Sequence, residues 1–96
     1  MNDEITLMVG RRLYSFDGRV LEIFGGEDAV RYHVRNMYVR VTGPDRKGKR
    51  VVEIGHGKQP DSRGGGHVWR YTAEEWDEVR GLGEFLETVR TAAESV

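Results

Sequence analysis

The pattern of apolar and polar positions divides the chain into a long strand-like part and one helix-like end. From Ala29 to Arg35 the residues alternate, with Val30, Tyr32 and Val34 on one side and Arg31, His33 and Arg35 on the other. Met37 to Thr42 repeats this, with Met37, Val39 and Val41 set against Tyr38, Arg40 and Thr42. A period of two predicts strands with one wet face. Shorter runs predict further strands at Ile5 to Val9, Arg11 to Phe16, Arg19 to Phe24, Arg50 to Gly55 and His67 to Tyr71. Asp17-Gly18 between two apolar-rich runs predicts a hairpin with a two-residue turn of the primed type, which needs positive φ at its centre. Gly10 is a break, Gly25 to Asp28 a turn, Gly43 to Lys49 a basic connection, and Gly57 to Gly66 a surface loop without apolar residues.

Thr72 to Ala93 changes period. Trp76, Val79, Leu82, Leu86, Val89 and Ala93 recur at steps of three and four, and Phe85 widens the stripe toward Ala92. Thr72 and Glu75 have capping-box spacing, and Glu74, Glu75 and Asp77 put negative charge at the positive end of the helix dipole. Gly81 and Gly83 interrupt this segment, each costing about 1 kcal/mol relative to alanine. Burying Trp76, Leu82, Phe85, Leu86 and Val89 contributes roughly 1.5 to 3 kcal/mol apiece. A continuous helix is therefore expected, with a kink or break at Arg80 to Gly83 as the alternative. An isolated helix of this length is marginal in water, so its stripe must lie on the strands.

These elements predict an α+β domain, mainly β, spanning residues 1 to 96. Six to seven antiparallel strands form a bent sheet or partly open barrel, capped by one C-terminal amphipathic helix. With 96 residues and 38% hydrophobic content the chain supports one modest core. The absence of cysteine removes disulfide scaffolds, thiolate metal sites and cysteine nucleophiles. No signal peptide or transmembrane segment is read, and a cytoplasmic location is expected.

The net charge of -1 hides a segregation. Residues 29 to 70 carry ten basic and three acidic side chains, whereas residues 71 to 96 carry two and seven. Either the two groups decorate separate solvated surfaces, or the basic segment forms a patch for an anionic partner. The most pointed cluster is Arg46-Lys47-Gly48-Lys49-Arg50, four cations around a glycine at a hairpin tip. There the glycine would let backbone amides approach a phosphate while the arginines supply paired donors. A secondary basic face is expected from Arg31, Arg35 and Arg40; with His33, Arg70, Tyr38 and Trp69 it has the composition of a nucleic-acid reader. Only Tyr38 falls clearly on the wet side, however, and Trp69 is expected against the helix, so nucleic acid is not an expected partner. His56 and His67 flank the glycine loop with Asp61 between them, but no short ligand spacing supports a metal site. No serine lies in a nucleophile elbow, and Gly64-Gly65-Gly66 lacks the Lys-Ser or Lys-Thr of a phosphate loop. No enzyme activity, cofactor or metal is expected.

Four features together resemble the pleckstrin-homology-like superfold, in particular its short bacterial and GRAM-type members. They are the Asp17-Gly18 hairpin, the strand and turn Arg31-Tyr32-His33-Val34-Arg35-Asn36-Met37, the strand Val51-Val52-Glu53-Ile54, and Trp76 in the closing helix. The resemblance implies a helix-capped antiparallel barrel without enzymatic activity, and many members bind proteins. Phosphoinositide-binding members carry a spaced Lys and Arg signature on the first two strands; here that region offers Arg11, Arg12 and Arg19. The expected function is an interaction module with a protein partner or a second copy of itself. The alternative is an anionic lipid or phosphate ligand held by Arg46, Lys47, Lys49 and Arg50.

Overall fold

A computed structural model describes residues 4–58 and 66–96. Its elements are β1 (Ile5–Val9), β2 (Arg12–Phe16), β3 (Val20–Gly25), β4 (Asp28–His33), a 3-10 turn (Val34–Asn36), β5 (Met37–Thr42), β6 (Arg50–His56), β7 (Gly66–Tyr71), α1 (Ala73–Glu78) and α2 (Leu82–Glu94). The strands form two antiparallel sheets, ordered β1-β2-β3-β4 and β5-β6-β7. Among the described residues no ladder joins the sheets, so the barrel is not closed, in keeping with the expected bent sheet or partly open barrel.

Alternation decides which residues meet between the sheets. Tyr14, Phe16, Leu21, Ile23 and Tyr32 point inward from the first sheet, and Val39, Val52 and Ile54 from the second. Leu82, Phe85, Leu86, Val89 and Ala93 of α2 complete the same core. Aromatic contacts join the three layers: the Tyr14 ring lies 6.2 Å from Trp69 and 5.9 Å from Phe85, edge-on to the latter. Trp69 is thus held by Tyr14 and by His67, which stacks on it at 5.6 Å.

Three expectations change at the turns. The Asp17-Gly18 hairpin forms, but its loop runs from Asp17 to Val20, since Phe16 pairs with Leu21. Asp17 Oδ1 accepts from the amides of Arg19 and Val20, both at 2.8 Å, so a side chain closes the turn. The two-residue turns lie instead at Gly10-Arg11 and Gly26-Glu27, where Val9 pairs with Arg12 and Gly25 with Asp28. In both, the glycine has positive φ at the first central position, as the II′ type requires. The β4 ladder stops at His33, whose Nδ1 accepts from the Arg35 amide and caps the 3-10 turn.

The expected single helix is divided. α1 carries the Thr72/Glu75 capping box, with both of its hydrogen bonds formed. Gly81, at φ +88°, then redirects the chain into α2. The reason is geometric. At about 100° per residue, a continuous helix would place Trp76 roughly 120° from the centre of the stripe Leu82, Phe85, Leu86, Val89 and Ala93. The break lets α2 bury that stripe while Trp76 packs edge-on against Tyr71, at 5.7 Å. Among the described residues no helix is long and apolar enough to cross a membrane.

Candidate functional site

The basic tip after β5 is an ordered turn built around Asp45. Asp45 Oδ1 accepts from the amides of Lys47 at 2.8 Å and Lys49 at 2.9 Å, and its carbonyl accepts from the Gly48 amide. These amides hold the Asp45 carboxyl below its ordinary range, that of Lys49 contributing most. The amides expected to cradle a phosphate are therefore already committed to the chain's own carboxylate. Gly48 sits so close to α1 that an added Cβ would lie 2.8 Å from that of Ala73. Arg50 is half-buried with its guanidinium 4.8 Å from the Trp76 ring centre, a cation–π contact that ties β6 to α1. Arg46, Lys47 and Lys49 remain exposed, and no carboxylate lies within 4.0 Å of their charged side-chain nitrogens among the described residues.

The other candidates are dispersed. Arg31 points outward from the first sheet and pairs with Glu22 at 3.1 Å; Arg40 points outward from the second and pairs with Glu53 at 2.6 Å. Arg35 belongs to the 3-10 turn. The three arginines thus come from three elements, Arg31 from the four-stranded sheet, Arg40 from the three-stranded sheet and Arg35 from the turn that joins them. Tyr38 projects from the wet face as expected, yet it is nearly covered. Its ring lies flat over Gly55, where an added Cβ would come within 2.6 Å, and its hydroxyl donates to Glu53 Oε2 at 2.7 Å. That bond raises the Tyr38 pKa to about 12 and, with Arg40, lowers that of Glu53.

His56 and His67 both contact Tyr32. The His56 ring lies 4.6 Å from the Tyr32 ring, and the Tyr32 hydroxyl is 2.6 Å from His67 Nδ1. Asp61 lies outside the described residues. Among the described residues no three His, Asp or Glu side chains cluster as a metal site would require.

A concave feature lies between β5 and α2, where the sequence pointed to nothing in particular. Among the described residues β5 is an edge strand, paired with β6 alone. α2 runs beside it and leaves two contiguous depressions of about 520 and 460 Å³. Val39 and Arg40 of β5 and Arg90 and Glu94 of α2 are common to both. Met37 and Tyr38 extend one end, and Trp76, Gly83 and Leu86 the other. The charges on its walls are already matched: Arg90 bonds to Glu94 and Glu87, and Arg40 to Glu53. Lys58 donates from Nζ to the carbonyls of Val34 and Ala93, both at 2.7 Å, fastening the end of α2 to the 3-10 turn. In sequence Lys58 is one cation among fifteen, and only the return of the chain after β6 gives it this place. The groove therefore combines a strand with one partner, a floor of mixed polar and apolar character over the nearly buried Val39 and Leu86, and a rim whose charges are paired.

No protein-family model, curated protein or solved structure matches the chain.

Proposed function

We propose that the chain is a non-enzymatic interaction module that takes an extended segment of a partner protein into the groove between β5 and α2. The segment adds as a strand to β5 and places alternate side chains on the floor beside Val39 and Leu86. One observation carries this reading: β5 has a single strand partner among the described residues and, with α2, lines two contiguous depressions. Main-chain bonding to the edge supplies affinity for any extended peptide, and the mixed polar and apolar floor supplies the side-chain preference. Among the described residues, seven antiparallel strands followed by a C-terminal helical segment is also the order that resembles the pleckstrin-homology-like superfold, many of whose members bind proteins.

The test is selection from a displayed library of random peptides, followed by binding to Glu94→Trp, whose indole fills the middle of the groove. Selected peptides are expected to bind Glu94→Trp about tenfold or more weakly, a loss of about 1.4 kcal/mol. Amides of Met37 to Thr42 should exchange more slowly in the complex. A library that yields no binder, or binders indifferent to the substitution, removes the reading.

The exposure of Arg46, Lys47 and Lys49 favours a second reading, attraction to an anionic lipid surface at about 1 kcal/mol per cation. Its mark is retention on acidic vesicles that falls with salt and disappears when the three are changed together to Gln.

A further inference from the structure

The outer face of the four-stranded sheet carries an apolar row that the core does not use. The register pairs Met8 with Leu13, Leu13 with Phe24 and Phe24 with Ala29, so four apolar side chains stand abreast across all four strands. They alternate with the inward-facing residues and belong neither to the core nor to the residues packed against it. Met8 is 57% and Phe24 39% exposed. The solvated face of an antiparallel sheet is ordinarily polar. The next row, Thr6, Ser15, Glu22 and Arg31, obeys that rule. A line of exposed and, at Leu13, half-buried apolar groups spanning a whole sheet calls for a partner surface of the same kind.

We propose that this row is the contact between two copies of the chain, stacked face to face about a two-fold axis that runs along the row. Such an axis sets each side chain of the row against its own counterpart, apolar on apolar. It also reverses the strand direction, carrying the polar row of one copy over the turns of the other. Arg31 then meets Glu27 of the second copy, and the symmetry repeats the contact. Glu27 is exposed and has no ion-pair partner among the described residues. Glu22 meets the unobstructed Gly26 turn, so no like charges oppose each other.

The overlap covers three same-face rows on four strands, roughly 20 by 19 Å from standard strand spacings. That is well below the roughly 800 Å² per partner of a stable complex, so the dimer is weak, dissociating in the micromolar range or above. This surface is separate from the groove beside β5 and does not depend on the peptide-binding reading.

Sedimentation velocity on the whole chain from about 1 to 500 µM is the first test, the range being set by that expected weakness. The parent should sediment increasingly as a dimer, and Phe24→Asp should remain monomeric with an unchanged circular dichroism spectrum and melting curve. Should Phe24→Asp fail to fold, Met8→Asp on the edge strand takes its place. The second test uses the lack of native cysteine. Stacked sheets lie about 10 Å apart, so a bismaleimide of that span should join two copies of Phe24→Cys. Val68→Cys, exposed on the other sheet, should stay unlinked. A parent that stays monomeric throughout, self-association that survives the Asp variants, or equal cross-linking of the two cysteine variants overturns the proposal.

Discussion

At the scale of single residues, Tyr38 shows how a side chain on the wet face becomes structural. Its ring replaces the missing side chain of Gly55, and its hydroxyl is held by Glu53. Gly55→Ala would drive a methyl into the ring and is expected to cost about 1 to 3 kcal/mol, measured by urea unfolding. Tyr38→Phe keeps the ring and loses the bond, at about 1 kcal/mol near neutral pH. The pH dependence follows from Glu53, whose carboxyl is lowered in the folded state, first by the Tyr38 hydroxyl and then by Arg40. A lowered acid contributes stability above its ordinary value of 4.5 and loses it as pH falls through the folded value. The gap between parent and Tyr38→Phe should therefore narrow on acidification below 4.5. A gap constant down to pH 3 would show that the bond is not charge-assisted. Alternation placed Tyr38 on the outer face correctly; its burial depends on Gly55 and Gly66 arriving beside it from β6 and β7, which a local pattern cannot register.

At the scale of elements, the two helix glycines separate into different roles. Gly81 has φ +88°, which an L side chain adopts only with strain, so Gly81→Ala should cost about 1 to 2 kcal/mol. Gly83 is helical, and a Cβ there would just touch the Trp76 ring at 3.4 Å. Gly83→Ala should be neutral or stabilise by up to about 1 kcal/mol through helix propensity. Thermal melts of both variants check the contrast, and equal effects would mean that the break does not depend on Gly81. The strands were legible because half-burial writes itself as alternation, and Ile5–Val9 and Met37–Thr42 fall where the pattern put them. The break was not legible from the burial of Trp76 and Leu82 taken one by one. Both residues are covered, but the direction in which each must point decides between one helix and two. The β5–α2 groove was equally hidden, since its walls are 40 to 60 residues apart in sequence. The basic tip was legible as a cluster, whereas the use of its amides by Asp45 and of Arg50 by Trp76 depends on local turn geometry and on the arrival of α1.

At the scale of the whole molecule, the four tyrosines couple the fold to alkaline pH. Burial raises Tyr14, Tyr32 and Tyr71 above their ordinary value of 10, and the bond to Glu53 raises Tyr38 to about 12. They occupy β2, β4, β5 and β7, so both sheets are affected at once. A group whose folded value is raised contributes its full stability below the unfolded value and loses it as pH rises toward the folded value. Below pH 10 the tyrosines are protonated in both states and impose no pH dependence. Above it, phenolate forms more readily in the unfolded chain, and each tyrosine draws the equilibrium toward unfolding. Charge reinforces the effect, since a chain already at -1 becomes more negative as lysines also deprotonate. Tyrosine absorbance near 295 nm should therefore rise in one cooperative step above pH 10, together with loss of the far-ultraviolet strand signal. Tyr38→Phe, which starts about 1 kcal/mol less stable, should lose stability less steeply above pH 10 because one of the raised groups is removed. Independent titration of four tyrosines near pH 10 with the strand signal intact would contradict the burial of Tyr14 and Tyr32 between the sheets.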